Sequence, residues 1–264
     1  MKRLVLFSAL VPTLALAGNL TLKGSDTMVV LTQRLAEEFM KKNPAAKLQV
    51  TGGGSGSGIA ALINGTTDIA TSSRPMKDEE KGKLKAKPVE IPVAKDGVTF
   101  FVNDKNPINS LTAEQLKSIY VGDVTNWKQL GGPDAPIVVY SRENTSGTYV
   151  FVKEHVLKNE DYLSAAQTLP GTAAVVNAVA KEKNGIGFGG IAYAKGVKAL
   201  KVKVGNDEIV GDEASIKSGK YPLSRPLFFY LKDEPKGDVK TFVDYCLSGD
   251  GQKVVAEVGF FSIK

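Results

Sequence analysis

The sequence predicts an α/β fold, in which short apolar strands are followed by amphipathic helices. Two observations support this prediction. Strands at 20–22, 48–50 and 67–70 alternate with two helical patterns in a βαβαβ order, and the same sequence of strand, polar turn and helix recurs over 137–157. Such alternation is typical of a mostly parallel sheet with helices packed on its faces.

The two helices of the first block are defined by their apolar spacing and their stop signals. The first ends at Asn43-Pro44, and the second covers 59–63 and ends at Asn64-Gly65. The apolar face predicted for the first helix consists of Met28, Leu31, Leu35 and Phe39. The glycine-serine run at 52–58 therefore joins a strand to a helix and is not an interdomain linker.

A second block begins with an apolar strand at 98–102 and a helix at 112–120. Trp127 follows a turn, and we expect its side chain to pack between lobes. An apolar strand at 226–231 and one long helix over 239–258 return the chain to the first block.

These elements divide the mature chain into two α/β lobes. The first lobe is predicted to contain residues 19–97 together with 226–264, and the second to contain residues 98–225. Two crossover strands would join the lobes.

Residues 1–17 have the pattern of a cleavable secretory signal peptide. Lys2 and Arg3 precede an apolar run, and Ala15-Leu16-Ala17 comes before Gly18. No later segment has the roughly 18 uninterrupted apolar residues that a membrane span requires. The single cysteine, Cys246, excludes an internal disulfide and lies far from the cleavage site, where a lipid would be attached. We therefore expect a periplasmic protein with no direct membrane anchor.

Charge and motifs exclude several classes of function. The formal net charge is +6, and it falls to +4 without Lys2 and Arg3. The other lysines alternate with acidic residues, so no nucleic-acid partner is predicted. The run at 52–58 lacks the GK[ST] ending of a P-loop and contains no GxGxxG. Because no cluster of cysteine and histidine and no carboxylate spacing indicates a metal, we expect neither metal nor cofactor.

Three strand-to-helix turns carry free amides, hydroxyls and one guanidinium. The first amides of a helix have no internal partner, and the helix dipole favours negative charge there. Three such turns at the carboxyl ends of strands would form a cage for a tetrahedral oxyanion. Serine, threonine and aspartate are also ordinary helix caps, so capping alone stays open for each turn. The turns are Ser25 to Thr27, Gly54 to Ser57, and Arg142 with Ser146 to Thr148.

In these segments the sequence resembles the secreted phosphate-binding proteins of bacterial ABC phosphate importers. The shared motifs are GSDTM, GGGSGSG, LTAEQLKSIYVGDVTNW and RENTSGT, in this order and spacing. The resemblance covers essentially the whole mature chain. It implies a two-lobed type II periplasmic binding protein fold, with two mixed, mostly parallel sheets joined by a hinge of two crossover strands.

The resemblance also implies a function. The protein would bind inorganic phosphate with high affinity and deliver it to the membrane permease of an ABC importer, without chemistry on the ligand and therefore without being an enzyme. We expect a monomer, because nothing in the sequence indicates an oligomer.

Residue roles follow from the same resemblance. Arg142 would pair with phosphate oxygens, Ser146 and Thr148 would donate hydroxyls, and Gly147 would donate its backbone N–H. The other two loops of the family are matched here by Ser55 and by Ser25, Asp26 and Thr27.

This sequence departs from the family at one position. Well-known members place an aspartate after the third strand, where it accepts the proton of hydrogen phosphate, and this chain has Ser73 there. Our hypothesis is that Asp26 takes over the acceptor role and that Arg74 offsets the added negative charge. Asp26 could instead cap the first helix, and Arg74 could be an exposed residue that closes the turn before Pro75.

The acceptor decides the ligand, because phosphate at neutral pH carries a proton and sulfate does not. A buried carboxylate would receive a hydrogen bond from phosphate and would repel sulfate. If Asp26 is only a cap, sulfate or another oxyanion stays open as the ligand. A secreted phosphate-ester hydrolase could use the same cage, but it would need an activated nucleophile or metals.

Overall fold

The computed structural model describes residues 19–264, and the signal peptide predicted for residues 1–17 lies outside them. The strands are β1 Asn19–Gly24, β2 Lys47–Thr51, β3 Ile69–Ser72, β4 Val89–Val102, β5 Ser110–Thr112, β6 Val138–Arg142, β7 Gln167–Leu169, β8 Gly185–Gly190, β9 Lys198–Ala199, β10 Lys201–Val204, β11 Asp207–Ile209 and β12 Ser224–Leu231. The α-helices are α1 Val29–Lys42, α2 Ser55–Asn64, α3 Asp78–Lys81, α4 Ala113–Val121, α5 Gly147–His155, α6 Thr172–Lys181, α7 Glu213–Lys217, α8 Gly237–Leu247 and α9 Gly249–Val258. Two short 3₁₀ helices cover Trp127–Leu130 and Ile191–Tyr193.

The main sheet is mixed, with parallel pairs near its two ends. Its strand order is β2-β1-β3-β12-β4-β8-β6-β7, and β9 pairs with β4 beside this path. β1 runs parallel to β2 and β3, and β6 runs parallel to β7 and β8. The central strands β4 and β12 run antiparallel to their neighbours. A separate sheet contains β11, β10 and β5.

The long strand β4 carries the chain from one lobe to the other. Its first part pairs with β12 as far as Gly97, and from Val98 onward it pairs with β8. The molecule therefore has the predicted two-lobed α/β architecture, with β4 and β12 as the crossover strands.

The buried side chains form a separate core in each lobe. Val98 and Leu223 belong to one core, whereas Ala94 and Leu227 belong to the other. This change of core at the crossing supports the lobe limits predicted from the sequence, 19–97 with 226–264 and 98–225, which we retain as a proposal.

The second helix begins earlier than the sequence pattern predicted. α2 starts at Ser55 and not at Ile59, so half of the glycine-serine run forms its first turn. Close approach to backbone atoms requires glycine at two positions of this run. Gly54 has a φ of +91°, and a Cβ there would lie 2.6 Å from the carbonyl oxygen of Thr145 in the other lobe. A Cβ on Gly58 would lie 2.3 Å from the carbonyl oxygen of Lys23, so glycine lets α2 pack directly on β1.

Two further predictions were wrong. The last helix is divided at Ser248, whose hydroxyl accepts the N–H of Gly251 and so caps the second segment, α9. Serine and glycine favour caps over helix interiors, which explains the break. Trp127 does not pack between lobes. It is fully buried in the core of the second lobe, and its indole N–H donates to the carbonyl of Asn184 at 3.0 Å.

No helix within residues 19–264 is long and apolar enough to span a bilayer.

Candidate anion-binding site

The three predicted turns meet in the cleft between the lobes. Ser25 follows β1, Ser73 follows β3, and Ser55 opens α2, so the first lobe contributes three buried serines. The second lobe contributes Arg142 at the end of β6 and Gly147 at the start of α5. The N–H of Gly56 donates to the carbonyl of Thr145 at 2.9 Å, which brings the two lobes into direct contact.

The three serines form one hydrogen-bonded cluster. The hydroxyl of Ser25 donates to Oγ of Ser73 at 2.9 Å, and Oγ of Ser55 lies 3.3 Å from Oγ of Ser73. Oγ of Ser55 also accepts the N–H of Ser73 at 3.0 Å. These hydroxyls can exchange donor and acceptor roles among themselves, so they can turn their protons toward an anion at little cost.

The N-terminus of α5 faces this cluster. A Cβ on Gly147 would lie 2.3 Å from Oγ of Ser55 and 2.6 Å from Oγ of Ser73, so only glycine fits between the lobes here. Ser146 caps the helix, and its oxygen accepts the N–H groups of Thr148 and Tyr149, both at 3.2 Å. Because both lone pairs are used, the Ser146 proton is left to donate to a ligand.

Asp26 pairs with Arg142 across the cleft and does not cap the first helix. Its Oδ2 accepts from Nη2 of Arg142 at 2.9 Å, and its Oδ1 accepts the N–H of Gly53 at 2.8 Å. α1 begins at Val29 after Met28, and no side chain caps it. Helix capping by Asp26, the alternative considered from the sequence, is therefore wrong.

Arg142 is almost completely buried and is held from three sides. Besides the bond to Asp26, its Nε donates to Glu143 at 3.0 Å and its Nη1 donates to Thr172 at 2.9 Å. Burial opposes the ionisation of Glu143, but the hydrogen bond and charge of Arg142 outweigh it, so the pKa of Glu143 lies below its usual 4.5. Three protein partners therefore fix the orientation of the guanidinium.

Arg74 is buried beside the glycine-serine run, but it does not offset the charge of Asp26. Its guanidinium forms a bidentate pair with Glu80, with Nη1–Oε2 and Nη2–Oε1 distances of 2.8 Å and 2.6 Å. The prediction that Arg74 compensates Asp26 was wrong, because Arg142 does so. The alternative of an exposed arginine was also wrong, since only 6% of Arg74 is exposed.

Sequence reasoning missed a third buried arginine at the site. Arg225 on β12 and Asp96 on β4 are direct partners in the antiparallel ladder, and Nη2 of Arg225 lies 2.9 Å from Oδ2 of Asp96. The same nitrogen donates to Oγ1 of Thr148 at 2.9 Å. The sequence signal was weak, because Arg225 is the only charged residue of β12 but Asp96 is one of three in β4.

Tyr193 was also missed, and it holds the first loop in place. Its hydroxyl donates to the carbonyl oxygens of Asp26 at 2.9 Å and Thr27 at 3.3 Å. Burial raises the pKa of Tyr193 to about 12, so the hydroxyl keeps its proton and stays a donor at neutral pH. No local motif in the sequence marks this residue, because it lies more than 160 positions from the loop.

The charged side chains around the cleft carry no net positive charge. The arginines are matched by carboxylates that pair with them, and one carboxylate is in excess. An anion would therefore be held mainly by hydroxyls, amides and helix N-termini, as in other buried anion sites built from dipoles. The arginines are Arg74, Arg142 and Arg225, and the carboxylates are Asp26, Glu80, Asp96 and Glu143.

The fold and the site together define the class. Two α/β lobes joined by two crossover strands, with donors from both lobes facing one cleft, are the architecture of solute-binding proteins. Residues 12–250 match the family model of the PBP superfamily domain. The chain belongs to this superfamily and, within it, to the family of PstS phosphate-binding proteins.

Individual relatives are similar along most of their length. The chain is 36% identical over 251 residues to the phosphate-binding protein PstS of Staphylococcus epidermidis, covering 90% of this chain and 77% of the relative. It is 34% identical to PstS of Pseudomonas aeruginosa over 270 residues, covering 94% and 84%. A crystal structure from Clostridium perfringens, described as a phosphate ABC transporter substrate-binding protein with bound phosphate, has a TM-score of 0.88 and 33% identity, and the match covers 94% of this chain and 100% of that one.

Proposed function

We propose that this protein binds inorganic phosphate between its lobes and delivers it to the membrane permease of an ABC phosphate importer. The observation that carries the proposal is the placement of Asp26 beside a cluster of buried hydroxyl and amide donors. The donors satisfy an oxyanion, and the carboxylate can accept the one proton that phosphate keeps at neutral pH. The names of the relatives support the same ligand.

The proposed ligand donors come from both lobes. The first lobe supplies Ser25, Thr27, Ser55 and Ser73, with Asp26 as acceptor, and the second supplies Arg142, Ser146, Gly147 and Thr148. Arg74 would act indirectly, without contacting the ligand. It neutralises Glu80, and its Nη2 lies 3.8 Å from the position of a Cβ on Gly56.

Asp26 can serve both Arg142 and the ligand. Each carboxylate oxygen has two lone pairs, and each accepts one protein hydrogen bond in this structure. One further hydrogen bond from a protonated oxyanion can therefore be accepted without losing the ion pair. Sulfate has no proton to offer, so its oxygens would face the remaining lone pairs of Asp26 with no hydrogen bond between them.

We infer that the protein does no chemistry on its ligand. Its relatives are binding proteins, and within residues 19–264 no group of three or more His, Cys, Asp or Glu side chains lies where it could hold a metal ion. We further propose a monomeric, periplasmic protein, released by cleavage after Ala17 and without a direct membrane anchor. The lobes would close over the anion, and the permease would dock the closed form, as in other hinge-closing binding proteins.

The test is calorimetric titration of ligand-stripped protein with phosphate and with sulfate, at pH 6 and pH 8. Phosphate should bind tightly at both pH values, and sulfate should give no measurable heat at equal concentration. Equal binding of the two anions would favour a general oxyanion-binding protein, and absence of phosphate binding would overturn the proposal. Release of product from a chromogenic phosphate ester would revive the hydrolase alternative.

A further inference from the structure

Arg225 and Asp96 form a buried ion pair at the point where the two crossover strands meet. The two residues are direct cross-strand partners, and only 4% of Arg225 and none of Asp96 is exposed. Nε and Nη2 of Arg225 donate to the same oxygen of Asp96 at 3.1 Å and 2.9 Å. The pair therefore ties β4 to β12 at the hinge itself.

The same guanidinium reaches one threonine from each lobe. Nη2 donates to Oγ1 of Thr148 on α5 at 2.9 Å and lies 3.5 Å from Oγ1 of Thr27, which follows β1. The two threonine oxygens are themselves 2.9 Å apart and share one proton. Arg225, Thr27 and Thr148 thus form a closed triangle of polar atoms, and the two threonines belong to the candidate site.

The triangle leaves one threonine hydroxyl proton without an acceptor inside it. The two hydroxyls carry two protons, and one of them is used in the bond between Thr27 and Thr148. Arg225 can only donate hydrogen bonds, so neither threonine hydroxyl can donate its proton to the arginine. The second hydroxyl proton is therefore free to donate to another acceptor. The threonine lone pairs that face the arginine already accept its hydrogen bonds.

On this basis we propose that Arg225 is a positioning residue for anion binding. Held by Asp96, it fixes Thr27 and Thr148 so that one hydroxyl proton of the pair points to the anion, and it does so only when the two lobes are closed. The inference rests on the proposed function, and it adds two residues to the machinery of the site.

The surroundings of Arg225 suit this role. Its guanidinium lies over the ring of Phe151, with the central carbon 5.3 Å from the ring centroid, and this cation–π contact adds to its hold. Asp96 balances the charge of Arg225. The arginine can therefore orient the threonines without attracting anions of every kind to the site. A lysine would lose the Nε bond to Asp96 and would present one tetrahedral ammonium in place of the planar fork, so it could not keep the same geometry.

The decisive variant is the neutral pair Asp96→Asn with Arg225→Gln. It leaves no unpaired charge in the hinge, so the fold should be kept. We expect the phosphate Kd to rise about 10- to 100-fold, the loss expected for a hydrogen bond to a charged group. Arg225→Lys keeps the positive charge beside Asp96 and should also weaken phosphate binding. If the neutral pair fails to fold, the phosphate Kd of Arg225→Lys tests the role of Arg225 instead.

Coupling to the threonine separates positioning from simple stabilisation. Thr148→Val should weaken phosphate binding strongly in the wild-type background and only slightly in the neutral-pair background, because the arginine acts through that hydroxyl. Additive losses would overturn the inference. Tyr221→Phe serves as the control, since the Tyr221 hydroxyl donates to the carbonyl of Val98 near the same crossing without touching either threonine.

The two proposals fail in different ways. If wild-type protein binds no phosphate, the proposed function fails and this inference fails with it. If wild type binds phosphate and both the neutral pair and Arg225→Lys bind it as tightly, the proposed function stands and the role of Arg225 is refuted.

Discussion

Asp26 and Arg142 join the two lobes through one ion pair, with an Nη2–Oδ2 distance of 2.9 Å. The guanidinium is 1% exposed and the carboxylate 17%, so the pair is largely shielded from solvent. It links the first loop of one lobe to the arginine of the other. The pair therefore places a carboxylate that can accept a further hydrogen bond directly beside the buried guanidinium in the cleft.

The first prediction concerns selectivity. Asp26→Asn should weaken phosphate binding by about 10- to 100-fold, because the acceptor for the phosphate proton is lost. The same variant should bind sulfate measurably, since the amide can donate a hydrogen bond and carries no charge. Calorimetric titration with both anions at pH 8 measures both effects.

Glu143→Gln is the matched control for Asp26→Asn, because Glu143 also pairs with Arg142. It removes the same amount of negative charge but not the proposed acceptor. It should keep phosphate selectivity, with sulfate still excluded. If both variants admitted sulfate equally, local charge and not proton acceptance would set the selectivity.

The second prediction concerns the meeting point of the lobes. Gly147→Ala should reduce phosphate affinity by more than about 100-fold, because the new methyl group would fall within 2.3 Å of Oγ of Ser55 and block closure. The methyl group would clash with Ser55 only while the lobes touch, so we expect ligand-free protein, with its lobes apart as proposed, to melt near the wild-type temperature. The rise in melting temperature on adding phosphate should be lost.

Gly249→Ala provides a close control for that substitution. Gly249 is also the first residue of a helix after a serine cap, and a Cβ there would meet nothing within 4 Å. Phosphate affinity should be unchanged, and stability should rise by up to about 1 kcal/mol from the better helix propensity of alanine. A similar loss of binding in both variants would mean that closure at Gly147 is not the cause.

The sequence was most informative where chemistry is local. Ser55, Arg142 and Gly147 lie in short turns whose residue types alone indicate an anion cage, and the structure brings those turns together. Asp96 and Arg225 are 129 positions apart, and only strand pairing makes them neighbours. Arg74 lies beside the glycine-serine run, but the sequence predicted Asp26 and not Glu80 as the charge that Arg74 compensates. Glu80 lies on α3, a short helix that was not predicted.

The third prediction concerns the support of the first loop. Tyr193→Phe removes the donor to the carbonyls of Asp26 and Thr27, and we expect phosphate affinity to fall about 3- to 10-fold, as for one neutral hydrogen bond. Tyr162→Phe is the control, since that hydroxyl donates to the carbonyl of Tyr149 at 3.0 Å, away from the first loop. It should lower stability to a similar extent without changing affinity. Equal affinities for the two variants would mean that Tyr193 does not support the site.

The fourth prediction concerns acid stability. Burial opposes ionisation of Glu80, but hydrogen bonds from Arg74 and the Lys77 N–H outweigh it, so its pKa lies below the usual 4.5. A carboxylate with a lowered pKa stabilises the fold above its unfolded pKa, and this contribution is lost as the pH falls through the folded pKa. Glu80→Gln should therefore cost about 1–2 kcal/mol at pH 7, a figure reduced for solvent screening, and progressively less from about pH 4.5 downward.

Urea unfolding of wild type and Glu80→Gln at pH 7, 5 and 3 measures this difference directly. The gap in the free energy of unfolding should be similar at pH 7 and 5 and should narrow at pH 3, because the unfolded chain then binds a proton at Glu80 more readily than the folded chain does. Glu79→Gln, at the exposed neighbouring position, should stay within about 0.5 kcal/mol of wild type at pH 7. A gap for Glu80→Gln that stayed constant down to pH 3 would show that Glu80 acts through packing and not through its charge on Arg74.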